Sequence, residues 1–197
     1  MSWARLHERL EGRLVVLEPL AERHAQGLAA AARDPEIWRW TIAPAHEPGP
    51  FAAWFAAALD AAAAEAEAPF AILLRESGEP VGSSRYLTLR PEHHGLEIGH
   101  TWHVSRVWGT GVNVEAKYLL LRHAFEVLGC MRVEFKTDAR NERARGALEA
   151  LPARFEGIFR RHMLVRGGEV RDSAFYSIVD AEWPQVQANL ERRLTDR

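Results

Sequence analysis

Residues 105–117 read "SRVWGTGVNVEAK", placing two glycines one residue apart between an extended stretch and a helical one. The preceding "LEIGHTWHV" (96–104) reads as a strand, with Leu96, Ile98, Trp102 and Val104 on one face and Glu97, Gly99, Thr101 and His103 on the other. The apolar positions Ala116, Leu120, Ala124 and Val127 mark one face of an amphipathic helix from Asn113 to Leu128, with Glu115, Arg122 and Glu126 opposite. A strand that feeds a helix through a glycine turn leaves the first helical N–H groups unpaired at the positive end of the helix dipole. That arrangement suits an anion, most naturally a phosphate. Two familiar phosphate motifs are excluded. A dinucleotide fingerprint needs a third glycine where Val114 stands, and the sequence G-x-x-x-x-G-K-[ST] occurs nowhere. A turn with a purely structural purpose remains the alternative.

The rest of the chain supplies a mixed α/β frame. "LVVLEPL" (14–20) reads as a strand, 21–33 as a helix broken at Asp34–Pro35, and the alanine-rich 51–68 as a helix with Phe51, Trp54, Phe55 and Leu59 on one face. That face is core, or in part the wall of a substrate groove. A hairpin around "ESGEP" follows, then the strand and helix already described, a strand over 131–138, a helix from Asn141 to Pro152, strands over 154–164 and 172–179, and a terminal helix. With 197 residues, 47% of them apolar, one domain spanning 1–197 is expected.

Composition narrows the partners. Twenty-five Lys and Arg against 27 Asp and Glu give a net charge of −2, which offers nucleic acid no general attraction; no aromatic and basic surface motif is present either. Cys130 is the only cysteine, so no intrachain disulfide forms. The N-terminus lacks an apolar leader core and no apolar run is long enough to span a bilayer, which together point to a cytoplasmic protein away from membranes. His100 and His103 fall on opposite faces of their strand, so no metal site is expected.

Arg106-x-x-Gly109-x-Gly111 matches the R/Q-x-x-G-x-G/A pattern that grips the acetyl-coenzyme A pyrophosphate in the GNAT superfamily of N-acetyltransferases. The wider "LEIGHTWHVSRVWGTGVNVEAK" resembles the "EIGYW…WGxGxxTEA" of its Rim-type (RimJ/RimL-like) branch, and "RVEFKTDARNERARGALEAL", "RFEGIFRRHM" and "RDSAFYSIVDAEW" resemble later segments, so that the likeness runs from about residue 10 to 190. It implies a single GNAT-like α/β (α+β) domain, with a mostly antiparallel sheet of about seven strands flanked by about four helices and a C-terminal helix. It also implies acetyl-CoA as co-substrate, a primary amine as acceptor and a homodimer.

By the same resemblance the backbone of Trp102, His103 and Val104 pairs with the pantetheine amides. Arg106 and the N–H groups from Trp108 through Gly109, Thr110, Gly111 and Val112 to Asn113 hold the pyrophosphate, and glycine is required where a Cβ would keep the phosphates away. Asn141 reaches the pantetheine arm, or simply caps its helix. Glu97, matching the Glu of "EIGY", is the candidate base, with a structural carboxylate as the alternative; a β-bulge would alter the face it shares. Backbone N–H groups around His103 are the oxyanion donors. The branch's Ser is Ala144 here, and the Tyr of other branches is Leu148, which leaves water or an inward-turned Tyr176 as the acid. The acceptor is either a protein N-terminal α-amine or a small-molecule amine, and a catalytically silent acyl-CoA-binding module is the reading from another class.

Overall fold

The computed structural model describes residues 3–196. Strands β1 (Leu10–Glu11) and β2 (Val15–Pro19) are followed by a 3-10 turn, α1 (Ala25–Ala31) and α2 (Pro48–Ala63). Then come β3 (Ala68–Leu74), β4 (Pro80–Arg90), β5 (Gly95–His103), α3 (Val112–Arg122), β6 (Arg132–Asp138), α4 (Glu142–Glu149), β7 (Arg154–Val165), β8 (Glu169–Val179) and α5 (Trp183–Thr195). They form one eight-stranded sheet in the order β1-β2-β3-β4-β5-β6-β8-β7. The strand beyond the expected seven is the two-residue β1, too short to show as a pattern.

Two apolar layers sandwich the sheet. Leu96, Ile98, Val133 and Ile178 pack beneath α3 and α5, while Trp38, Phe51, Phe55 and Trp102 pack with α1 and α2 on the other face. The aromatic stripe of α2 is therefore core, with Trp54 also standing 5.8 Å from the ring of Trp102. That helix ends at Ala63, five residues before its alanine-rich composition suggests. Glu65 turns left-handed at φ 54° and the Ala66 N–H reaches back to the Ala61 carbonyl, which closes the helix with no glycine to announce it.

Helix α3 also departs from its amphipathic reading. Glu115 is buried, and its carboxylate accepts from the N–H groups of Arg13, Leu14 and Val15, fastening α3 to the start of β2. Beyond Arg122 the coil widens into a π-helical turn over His123–Val127, with the Leu128 N–H bonding five residues back to His123.

The pairing of β5 with β6 is what positions the site. All other neighbouring strands run antiparallel, but these two are parallel and stay paired only through Gly95↔Arg132, Leu96↔Val133 and Glu97↔Glu134. Past Glu97 they diverge, opening a wedge in the middle of the sheet.

Candidate functional site

The glycine turn lies at the mouth of this wedge. Gly109 has φ 77° and Gly111 φ 100°, a region that only glycine enters freely, so both are needed by the backbone itself as well as by anything that approaches it. A Cβ at Gly109 would meet no neighbouring atom. Helix α3 makes its first intrahelical bond at Glu115 N–H to Gly111 O, leaving the N–H groups of Val112, Asn113 and Val114 ahead of the ladder. The expected cradle is smaller than the motif suggested. Trp108 N–H bonds to Ser105 O and Thr110 N–H to Val107 O, so these two close turns inside the loop. Arg106 points to Glu79, at 2.5 Å, on the exposed surface.

Within β5 the register slips. Arg85 opposes Gly99 but Ser83 opposes Trp102, so one extra residue is accommodated at His100, which is left-handed at φ 48°. This bulge corrects the simple alternation. Trp102 faces α1 and α2, away from Leu96 and Ile98, while Thr101 turns toward α3, where Lys117 Nζ donates to its Oγ1 at 2.6 Å. His103 is buried near the same ammonium, and burial first, then that charge, push its imidazole down to about 3.

The backbone expected to receive the pantetheine is only partly open. Val104 N–H bonds to Val81 O, and Val104 O accepts from Val107 N–H, so Val104 lacks a free backbone group. The His103 carbonyl accepts from the Trp108 indole at 3.0 Å, and the Arg143 guanidinium stacks on that indole at 3.7 Å. Trp108 and Arg143 thus bridge the wedge from the glycine turn to α4.

Glu97 stands where the strands part. It is 3% exposed and accepts from Thr88 Oγ1 at 3.2 Å and from Lys136 Nζ at 2.9 Å, an ion pair that ties β5 to β6. Its structural role is therefore real, and it also lies on the sheet face that α1 and α2 cover, opposite its neighbours Leu96 and Ile98. Asn141 caps α4 through its Oδ1, which accepts from Ala144 N–H at 3.1 Å; only its amide nitrogen remains to reach across the wedge. Strand β5 thus carries Glu97, Trp102 and His103 along one side of the wedge, the turn from Trp108 to Asn113 follows it at the mouth, and Asn141 stands after β6 on the other side. Arg106 and Val104 are turned to other partners.

The family description "Acetyltransferase (GNAT) domain" matches residues 14–154. The chain belongs to the GNAT acetyltransferase family. A protein assigned as an acetyltransferase from T. thermophilus is 44% identical with TM-score 0.83, over 95% of this chain and 97% of that one. A GCN5-related N-acetyltransferase from Brucella melitensis is 30% identical with TM-score 0.87, over 94% and 85%. RimJ of Mycobacterium smegmatis, solved in complex with CoA-disulfide, shares the fold at 24% identity and TM-score 0.78, over 94% and 93%. No match was found among curated proteins.

GNAT acetyltransferases use acetyl-CoA, and this chain offers what such a molecule needs: a parted pair of strands to admit an extended arm and unpaired N–H groups for its phosphates. A GNAT reaction also needs an acid for the departing thiolate. Tyr176 is fully buried, its hydroxyl donating to Glu149 and accepting from Arg145, so it does not turn into the wedge. Lys117 does. Its ammonium lies between Thr101 of β5 and the ring of Phe135 of β6, 5.8 Å from the ring centroid. Burial pulls its pKa down to about 7, against the opposing pull of Glu97. Sequence reading missed it because a lysine in an apparently amphipathic helix looks solvated; its place one turn after the free N–H groups of the glycine turn was the available signal.

Proposed function

We propose that this GNAT acetyltransferase moves an acetyl group from acetyl-CoA to a primary amine by direct attack in a ternary complex. The observation that carries the proposal is the wedge between β5 and β6 with the glycine turn at its mouth. The N–H groups of Gly111, Val112 and Asn113, with Gly109 supplying the turn, receive the pyrophosphate. Trp102 and His103 line the pantetheine, Asn141 offers its amide nitrogen, and the Trp108 indole swings off the His103 carbonyl as the arm enters. Glu97 takes the ammonium proton directly or through water, in exchange for part of its pairing with Lys136. Backbone N–H groups around His103 stabilise the thioester oxygen as it gains charge. Lys117 gives its proton to the sulfur as the C–S bond breaks; of the two protons the nitrogen loses, one leaves to solvent through Glu97 and the other restores Lys117 by way of solvent.

The acceptor is a protein N-terminal α-amine or a small-molecule amine. Cys130 is buried, its thiol pushed up to about 12 by burial, and no described helix is long and apolar enough to cross a membrane; a cytoplasmic location is part of the proposal. So is a homodimer, supported by the apolar edge strand β7, which exposes Phe155, Ile158, Phe159 and Leu164.

Titration with acetyl-CoA of the parent and of Gly111→Glu tests the reading. At φ 100° any side chain strains the turn, and a carboxylate there repels the phosphates. The parent binds and the variant loses at least about tenfold in affinity; a parent that does not bind retains the fold without the reaction.

A further inference from the structure

Arg171 of β8 lies on the sheet face opposite α3 and α5, in register with Ser173 and Phe175, and is 4% exposed. Its Nε is buried without an acceptor, and no described residue gives its guanidinium a hydrogen bond or an ion pair. A buried cation left alone is costly, and chains normally supply a partner for it.

The surrounding acids are already engaged. Asp138 is held by Arg140 and Arg166, Glu97 by Lys136, Glu67 by Arg85, and Asp172 accepts from the Arg161 N–H at 2.6 Å. The nearby imidazoles do not compensate either. His162 is held below its ordinary pKa by burial and then by Lys136 and Arg171, and His100 is held at about 4 by burial and then Arg85. Glu169 is likewise shared by Arg140 and Arg166, so Arg171 stands on the face between β5 and β8 with no carboxylate partner among the described residues. Burial draws the guanidinium below its usual pKa, with the charge of Asp138 and, more weakly, that of Glu97 on the same sheet face acting the other way.

We propose that Arg171 receives a carboxylate carried by the acceptor, so that the amine acetylated beside Glu97 belongs to a molecule with an anionic group a short spacer away. This rests on the acetyl-transfer reading and names its substrate class. The planar fork of an arginine fits a carboxylate with two parallel hydrogen bonds, which a lone ammonium cannot offer. Two sources provide the same chemistry: a small amino acid, or an acidic side chain close to a peptide N-terminus.

Thiol release from acetyl-CoA is measured with matched probes, 5-aminopentanoate against pentylamine, and a peptide beginning Ser-Asp against one beginning Ser-Asn. The parent favours the acidic member of at least one pair by about tenfold or more in kcat/KM, and the pair identifies the source. In Arg171→Met the ratio falls to near one, and in Arg171→Lys it is intermediate. Independently of turnover, the acidic probe without acetyl-CoA raises the Tm of the parent by several degrees and leaves that of Arg171→Met unchanged. The proposal is overturned if the parent shows neither a preference nor a Tm shift, or if Arg171→Met keeps both. The acetyl-CoA titration separates these outcomes from failure of the transfer reading, since a parent that binds no acetyl-CoA can still show the Tm shift.

Discussion

A lysine whose pKa sits near neutrality can donate a proton at a pH where an ordinary lysine holds on to it, and Lys117 at about 7 is in that position. An acid works only while protonated, so kcat falls as pH rises through about 7. In Lys117→Met this alkaline limb disappears and kcat drops by about 10²-fold or more, while acetyl-CoA affinity is retained. A pH–rate profile of both proteins checks this, and an alkaline limb that survives in the variant removes Lys117 from the reaction. At the same scale, legibility in the sequence is uneven. The left-handed turn at Gly109 and Gly111 is legible because glycine is the residue that such a backbone needs, whereas Glu97 is picked out by resemblance and its role as base belongs to the proposal. The bulge is not: His100 is an ordinary histidine in a left-handed backbone, and nothing in "EIGHTWH" distinguishes it from its neighbours, so simple alternation puts Trp102 on the face opposite to the one it occupies. Arg171 escapes for a simpler reason, lying just before the point at which the last strand can be recognised.

Elements are joined here by a few polar clasps whose loss can be predicted. Asp138 at the end of β6 holds Arg140 and Arg166, and Arg166 in turn donates to the Thr41 carbonyl in the segment between α1 and α2. Burial opposes ionisation of this carboxyl, but the two guanidinium partners outweigh it and hold the pKa at about 2. The folded pKa lies below the ordinary value, so the stabilisation is complete above about 4 and disappears as pH falls through about 2. Asp138→Asn lowers stability at pH 7 by about 2 kcal/mol, and the difference from the parent shrinks in denaturant melts at lower pH. The end of α2 predicts the opposite sign. Glu65→Gly removes the left-handed strain and raises stability by about 0.5–1 kcal/mol, seen as a higher Tm. Helix and strand order is legible from periodicity, whereas this stop is not, because alanine continues past it and the terminating conformation falls on a glutamate.

For the whole molecule, the sheet ends on β7, whose outer edge lacks a strand neighbour among the described residues and whose Leu164 is 71% exposed. A dimer formed through this edge runs as a two-protomer species in light scattering, and Leu164→Glu shifts it to the monomer without lowering the Tm of the folded chain. A parent that is monomeric at all concentrations removes the dimer. The other end of the scale is the short parallel seam. Only three residue pairs join β1–β5 to β6–β8, so the sheet behaves as two boards with a narrow spine. Deuterium uptake should show that spine: amides of β5 beyond Glu97 that face the gap exchange within seconds in the free protein, slow when acetyl-CoA bridges the boards, and leave the outer strands unaffected. The molecule that reacts would then also be the brace that makes the two halves rigid.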